Sequence, residues 1–199
     1  MSGKKKAKQP PIDGDEVRRR LERALGEQLL VRLTRWIPEA DRIFGFVVGV
    51  GGQWVALADV ADWVRSDGWS LVRLKDVQAV KIYPDPETFT IRALKLRGEW
   101  PPQQVAVDLD DTARLIMDAT DVSPLLTVHC EFERPDVCWI GAPVATDDDE
   151  LTMLEIGTQA VWGRRSTRYD LDDITRFEIG GGYEETLGLL AGPMPDVLE

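Results

Sequence analysis

The sequence predicts a mainly β protein with flanking helices, made of two similar halves that each contain a short helix followed by five strands. The first observation is a doubled hairpin pattern. Residues 45–60 and 141–156, 96 positions apart, both read as an apolar strand, a small or acidic turn and a second apolar strand with an acid one residue before its end. The second observation is a frame, apolar-x-Asp-apolar-x-x-apolar-x-Ile, shared by residues 74–82 and 171–179 at an offset of 97. Repetition at a fixed spacing indicates a duplicated unit.

The first predicted element is a helix from Asp13 to about Gln28, because apolar residues recur every four positions and arginines fill the other face. The apolar positions are Val17, Leu21, Leu25 and Leu29. The exposed arginines are Arg18, Arg19, Arg20 and Arg23. Asp13 or Asp15 is expected to cap the first turn, where a carboxylate suits the helix dipole.

Five strands are expected next, each marked by a short apolar or alternating run that ends in glycine, proline or a polar turn. They are assigned to residues 29–37, 43–50, 54–60, 69–74 and 77–83. Residues 87–97 fit either an alternating strand or one helical face, and the helix is preferred. Residues 98–108, which contain two consecutive prolines, form the expected linker.

The second half repeats this order. A short helix is expected at 111–119, and a last helix at 183–191 is stopped by Gly192 and Pro193. The strands between them are assigned to 125–133, 139–144, 151–156, 166–171 and 174–179. The predicted organisation is a basic tail at 1–12, a first unit with a trailing helix at 13–97, the linker at 98–108, a second unit with its terminal helix at 109–192, and a tail at 193–199.

The first strand does not fit a single offset. At 96 residues, Val31 and Leu33 fall on Thr127 and His129. This exchange reverses the buried face, because side chains alternate along a strand. We infer an insertion in the following loop, and chance similarity between two amphipathic β-units is the alternative. Under the duplication, each half is expected to bury its own β-core.

A small helix followed by five strongly bent antiparallel strands resembles the Sm and Sm-like fold, over residues 13–84 and 109–180. Gly45 and Gly141 stand where that family has the glycine that lets its second strand bend. VALADV and LTMLEI are similar to the family's third strand with its acidic end. The resemblance implies two tandem five-stranded Sm-like/SH3-like small barrels, each preceded by a short helix. It also implies that edge strands four and five pair between units.

The RNA site of that family is matched poorly. RNA-binding Sm proteins carry Asp or Asn, together with Asn, in the turn between strands two and three. This chain has Gly-Gly-Gln at 51–53 and four acids at 147–150. The family's Arg-Gly step after strand four is replaced by Leu-Lys at 74–75 and Leu-Asp at 171–172. Since a fold resemblance alone does not assign an activity, RNA binding is an alternative here.

Composition and charge narrow the classes of function. The net charge of −11 repels phosphate polyanions at long range, which disfavours general nucleic-acid coating. Four lysines within the first ten residues predict a solvated tail, with tethering as the alternative. No apolar run approaches the roughly 18 residues of a membrane span, and the start lacks the apolar core of a signal peptide. We therefore expect a cytoplasmic protein.

Few residues suggest catalysis or metal binding. The four acids at 147–150 could hold a cation, but a solvated hairpin tip is preferred because they alternate sides. His129 has no Ser or Cys partner at a recognisable spacing, so an outward or interface position is expected. Residues 180–182 could present amides to an anion, but a hinge is preferred. A hairpin of residues 125–133 with 138–145 would place Cys130 opposite Gly141 and Cys138 opposite Glu133, so their sulfur atoms would not meet, and both are expected to be reduced thiols.

The best indication of a contact surface is tryptophan in corresponding loops of both halves. Arginine with tryptophan is typical of binding surfaces. The candidate binding residues are Trp63, Trp69, Trp162, Arg164, Arg165 and Arg168. A solvated loop, with tryptophans that cap barrel ends, is the alternative.

The sequence therefore predicts a non-enzymatic protein-interaction, assembly or regulatory module, without catalytic residues, cofactor or metal and without a membrane or small-molecule partner. Its partner is expected to be another protein, or a second copy joined through strand edges. An RNA-binding Sm-like protein and an acidic immunity-type inhibitor are the alternatives. An enzyme of unrecognised type has no positive support.

Overall fold

The computed structural model describes residues 13–195, so the predicted tail at 1–12 and residues 196–199 lie outside it. Within that range four α-helices accompany ten strands. The helices are α1 (Gly14–Glu27), α2 (Phe89–Arg97), α3 (Thr112–Val122) and α4 (Gly182–Ala191). The strands are β1 (Leu30–Arg35), β2 (Ile43–Val50), β3 (Trp54–Val60), β4 (Ser66–Arg73), β5 (Val77–Tyr83), β6 (Leu126–His129), β7 (Trp139–Thr146), β8 (Glu150–Glu155), β9 (Thr167–Asp170) and β10 (Arg176–Ile179).

All ten strands form one antiparallel sheet in the order β5-β1-β2-β3-β4-β10-β6-β7-β8-β9. The mainly β class with flanking helices is therefore confirmed. Each half contributes five neighbouring strands in an equivalent order, and the fourth strand of the first half pairs with the fifth strand of the second. The pairing leaves β5 and β9 as the edges of an open sheet. The two closed barrels stay a prediction.

The strand registers explain why one offset could not fit the repeat. Val31 lies opposite Gly45 and Leu126 lies opposite Gly141, so strand one repeats after 95 residues and the glycine after 96. Leu126 therefore takes the place of Val31, and the apolar faces of β1 and β6 agree. The insertion that we inferred between strands one and two is one residue long.

α1 begins and packs as its sequence pattern predicts. The side chain of Asp13 accepts a hydrogen bond from the backbone N–H of Glu16 (3.1 Å), which satisfies one of the free amides of the first turn. Val17, Leu21 and Ala24 are buried on one face and belong to the apolar cluster that includes residues of β1, β2 and β5. This cluster is confined to the first half.

The bend in the second strand of each half requires glycine. A Cβ placed on Gly45 would lie 2.6 Å from the carbonyl oxygen of Ala58 on β3, closer than a methyl group can approach. Gly141 meets the backbone oxygen of Leu154 on β8 in the same way. The sequence pattern had indicated these two glycines.

The expectation that each half buries its own core is wrong for the larger core. The main apolar cluster contains Trp54 and Leu71 from the first half together with Leu126 and Phe177 from the second. The rings of Trp54 and Phe177 lie 5.2 Å apart between centroids. The pairing of β4 with β10 brings these side chains under one sheet, so the two halves share a core.

The predicted strand at 125–133 is too long. β6 ends at His129, and the backbone amides of Glu133 and Arg134 turn back to the carbonyl of Cys130 (3.2 and 3.0 Å). Phe132 consequently points away from the core and is 56% exposed. The predicted cross-strand position of Cys130, opposite Gly141, is also wrong, because Leu126 occupies it.

Smaller differences affect the fourth and fifth strands and the cysteines. β4 begins at Ser66, before the predicted start at residue 69, because its N-terminal part continues the hairpin with β3. β10 begins at Arg176, two residues after the predicted start at residue 174, because residues 171–173 form a turn and Ile174 and Thr175 follow it outside the strand. Cys130 and Cys138 are both free thiols, as expected, the first buried and the second exposed.

A buried ionic network joins the two halves. Arg35 at the end of β1 forms a two-pronged ion pair with Glu131, and its Nη2 lies 2.6 Å from Oε1. The exposed fractions of the two side chains are 0% and 1%. Thr175 donates its hydroxyl to Glu131 Oε2 (2.6 Å), and Arg176 lies 3.7 Å from Oε1. Burial alone raises the pKa of Glu131, but hydrogen bonds from Arg35 and Thr175 and the charge of Arg176 hold it below its usual value.

Candidate interaction groove beside the last helix

A groove of about 690 Å³ runs between α4 and the strands beneath it. Its walls are mostly apolar, and they come from both halves of the chain. The side chains that define this α4 groove are Trp69, Leu125, Ala142, Trp162, Leu189 and Met194. A large apolar concavity with few polar groups is the usual form of a binding site.

Trp69 supplies the wall from the first half. It lies on β4 opposite Ile179 of β10, so the junction between the halves places it beside the second half. Its indole N–H donates to the carbonyl of Gln103 (2.9 Å), which fixes the ring. Gly180 has a left-handed backbone (φ +67°), and a Cβ there would lie 3.1 Å from the Trp69 ring. Glycine at this position therefore permits the close contact.

Trp162 supplies the opposite wall from the second half. Its backbone forms an isolated antiparallel bridge with Ile156. Its ring packs against the small apolar cluster that includes Leu125 and Leu187, and its indole N–H donates to the carbonyl of Gly192 (3.3 Å). Trp162 thus links the end of α4 to the sheet.

α4 is apolar on more than its buried side. Leu187 points inward and is buried, whereas Leu189 and Leu190 are 78% and 73% exposed. Tyr183 and Met194 are also exposed large side chains on or next to this helix. Several large apolar side chains exposed on one short segment mark an interaction site more often than scattered single residues do.

The polar side chains in the groove are neutral or acidic, with no basic side chain among the described residues that line it. Glu185 is exposed, whereas Glu184 is buried and accepts a hydrogen bond from Thr127. A second, smaller cavity of about 270 Å³ shares Glu184 with the groove. It is also lined by Asp59, Asp67 and Glu178, so the surroundings of α4 favour a cation.

Asp59 is the least stabilised acid of this group. Its Oδ2 accepts a hydrogen bond from Ser70 (2.6 Å), but its buried Oδ1 has no partner among the described residues. Burial raises the pKa of Asp59 well above its usual value, more than the Ser70 hydrogen bond lowers it. The nearby charge of Glu178 raises the pKa further.

The glycines before α4 hold a side chain of the protein itself. The backbone N–H of Gly182 donates to Asp67 Oδ1 (2.9 Å), so a carboxylate from the β3–β4 hairpin occupies the start of the helix. The amides that could have met an external anion are thus partly engaged. Asp67 also attaches the first half to α4.

The other predicted contact residues lie outside the groove. Trp63 lies in the β3–β4 turn and is 68% exposed. Arg164 and Arg165 are exposed in the turn before β9. Arg168 lies on β9, and its Nη1 is 3.7 Å from Glu150 Oε2. The structure therefore brings Trp69 and Trp162 together but not the arginines, and binding by any of the six stays a prediction.

The other polar residues considered as candidate sites are engaged by neighbouring groups of the protein. The tip at 147–150 closes on itself, with amides of Asp149 and Glu150 donating to Asp147 Oδ1. His129 does not point outward: it is buried, 3.1 Å from Arg176 through Nδ1 and 3.4 Å from Glu178 through Nε2. Among residues 13–195, no three His, Cys, Asp or Glu side chains are grouped to hold a metal ion. No helix in that range is long and apolar enough to cross a membrane.

The sequence analysis did not predict that α4 forms a wall of the groove. The signal was present, because leucine occurs on both the inward and the outward face of 183–191. The contribution of Leu125 and Ala142 was not readable, since it depends on how β6 and β7 lie under the helix.

No family model matches the chain, and no curated protein and no solved structure shows significant similarity to it.

Proposed function

We propose that this protein is a non-enzymatic interaction module, built from two Sm-like units, whose α4 groove binds an amphipathic, basic segment of a partner protein. The observation that carries the proposal is the groove itself, with two tryptophans, the exposed Leu189 and no basic lining side chain in the described part of the chain. Aromatic side chains of this kind are frequent energetic centres of protein interfaces.

Charge determines which segment fits. Glu184 and Glu185 line the groove, and the adjoining cavity adds the carboxylate of Asp67. The whole chain carries −11, so a cationic partner is attracted at long range as well as at the site. An apolar face with lysine or arginine at its border is complementary to both the walls and the rim.

A different protein fits better than a second copy at the sheet edges. An intermolecular version of the β4–β10 pair would join β9 of one copy to β5 of the next. In the internal pair Leu71 lies opposite Phe177, and at the repeat offset of 97 these positions become Arg168 and Val80. Leu71 and Phe177 both belong to the main apolar core, whereas Arg168 is exposed and lies 3.7 Å from Glu150, so the edge pair lacks the apolar contact of the internal one.

Selection from a peptide library tests the proposal directly, because the library itself supplies the candidate partner segments. We expect a phage-displayed library, panned on the whole protein, to enrich sequences with large apolar residues at helical spacing and at least one flanking Lys or Arg. A synthetic peptide of that type should lose at least tenfold in affinity against Leu189→Glu. Leu96→Glu is the matched control, because Leu96 is a 90% exposed helical leucine on α2, and it should leave affinity unchanged.

Three results would contradict the proposal. One is a selection that returns no binding sequence or chiefly acidic ones. Another is equal affinity of the selected peptide for the wild type and Leu189→Glu, with both folded by circular dichroism. The third is equal weakening by Leu96→Glu, which would indicate a non-specific charge effect.

A further inference from the structure

A second concave surface lies at the opposite edge of the sheet. This edge cleft, of about 680 Å³, is formed between α1 and the edge strand β5. It is strongly basic although the chain as a whole is acidic. The charged side chains that line it are Arg19, Arg20, Arg23, Arg32, Lys81 and Glu16.

Two of these cations face each other across neighbouring strands. Arg32 on β1 is the direct cross-strand partner of Lys81 on β5. Like charges at such positions repel each other, and a sheet ordinarily pairs opposite charges or apolar residues there. Among the described residues neither Arg32 nor Lys81 forms an ion pair with an acid.

Arg32 is held in place but is not satisfied. Its guanidinium carbon lies 6.0 Å from the centre of the Phe44 ring, on the other neighbouring strand. Its Nε is buried and has no hydrogen-bond partner within residues 13–195. A buried donor of this kind is normally paired, so an arginine without a partner is a candidate for one supplied from outside.

α1 as a whole has four arginines and four acids, but it presents three arginines and only one acid to the cleft. Arg19 and Arg20 share the single carboxylate of Glu16 (2.8 and 2.6 Å). Arg20 also donates from Nη1 to the backbone carbonyl of Val80 on β5 (3.1 Å), which holds α1 at this edge. The lining residues comprise five cations and one anion, and Arg23 is also paired with Glu27 beside the cleft (3.0 Å).

We propose that the edge cleft binds a small phosphorylated ligand, with Arg32 and Lys81 contacting the phosphate oxygens. A guanidinium donates two parallel hydrogen bonds to a phosphate, and an ammonium supplies a further point charge. A bound dianion would convert the repulsion between Arg32 and Lys81 into a bridge. The charge of −11 opposes long polyanions more than it opposes a compact anion, so the ligand is a small molecule and not a nucleic acid.

Titration calorimetry at low salt with inorganic phosphate and tripolyphosphate tests this directly. We expect tripolyphosphate to bind with one site and to raise the melting temperature of the wild type. Arg32→Gln and Lys81→Gln should each lose at least tenfold in affinity. Arg97→Gln removes the same charge from the exposed end of α2, outside the cleft, and should bind as the wild type does.

A stability measurement separates ligand binding from a structural role. Removing either cation relieves the repulsion, so both variants should melt at or above the wild-type temperature without ligand and respond less to tripolyphosphate. Lys81 is exposed, which makes its variant safe to interpret even if Arg32→Gln fails to fold.

Several outcomes would overturn the assignment. Equal affinity of the wild type and Lys81→Gln for tripolyphosphate would show that the edge cleft is not the binding site. Equal binding of citrate would remove the preference for phosphate. Tighter binding of a short single-stranded RNA than of tripolyphosphate, lost in Arg32→Gln, would replace the small ligand by a nucleic acid.

Discussion

Replacing Glu131 by glutamine should destabilise the protein by about 3–5 kcal/mol, because it leaves the buried Arg35 guanidinium without its counter-charge. The side chains of Glu131 and Arg35 are 1% and 0% exposed, so water cannot take the place of the lost carboxylate. The glutamine amide would also direct a donor at Arg35 or at Thr175, both of which now donate to the carboxylate. The change is a large part of the roughly 5–15 kcal/mol that keeps a domain folded.

Urea unfolding at pH 7, followed by tryptophan fluorescence and far-ultraviolet circular dichroism, measures this loss. Glu27→Gln is the matched control, because Glu27 pairs with Arg23 on α1 with both side chains more than half exposed. That surface pair should cost less than about 1 kcal/mol. A Glu131→Gln variant within about 1 kcal/mol of the wild type would refute the role assigned to the buried pair.

The double replacement Arg35→Met with Glu131→Met provides a second check. Removing both charges leaves no buried ion without a partner, so the double variant should be more stable than Glu131→Gln. If the stability losses of Arg35→Met and Glu131→Met alone add up to the loss of the double variant, the two side chains act independently. Because the pair joins the halves, the wild type should unfold in one transition by both probes.

Three further predictions concern acids and glycine. The pKa of Glu131 is lower in the folded than in the unfolded protein, so its stabilisation is present above the unfolded pKa of about 4.3 and is lost as the pH falls toward the folded value. When unfolding is measured across acidic pH, Glu131→Gln should not show this loss of stability. Asp59 has a raised pKa, so stability declines as the pH rises above its unfolded value; Asp59→Asn, which keeps an acceptor for Ser70, should melt higher at pH 8, and a lower melting temperature would contradict this. Gly45→Ala should lose about 1–3 kcal/mol in urea unfolding, since its methyl group meets the Ala58 carbonyl, and an unchanged midpoint would refute the close approach.

The local pattern of the sequence was sufficient to place most helices and strands. α1 follows from the spacing of Val17 and Leu21, and the bent second strands follow from Gly45 and its repeat. The alternation of apolar and polar residues wrongly predicted that Phe132 lies in a strand. The local sequence does not distinguish a strand from a turn whose amides donate to the preceding Cys130 carbonyl. The error therefore concerns the end of β6, which is determined by backbone hydrogen bonds.

Contacts between the halves could not be read in the same way. Arg35 and Glu131 are 96 residues apart, and they lie on or next to β1 and β6, strands that belong to one sheet only through the β4–β10 junction. The same junction creates the shared core and places Trp69 beside α4. The duplicated tryptophans did indicate two walls of the groove, whereas the facing cations Arg32 and Lys81 depend on the exact strand register.

Everything proposed for the α4 groove depends on the pairing of β4 with β10, since Trp69 comes from one half and Trp162 from the other. Nuclear Overhauser effects between backbone protons of Leu71 and Phe177, which lie opposite each other in this pair, measure it most directly. We predict strong cross-strand signals there and slow exchange of the shared amides. Their absence, with signals only between strands of the same half, would contradict the continuous sheet and the groove with it.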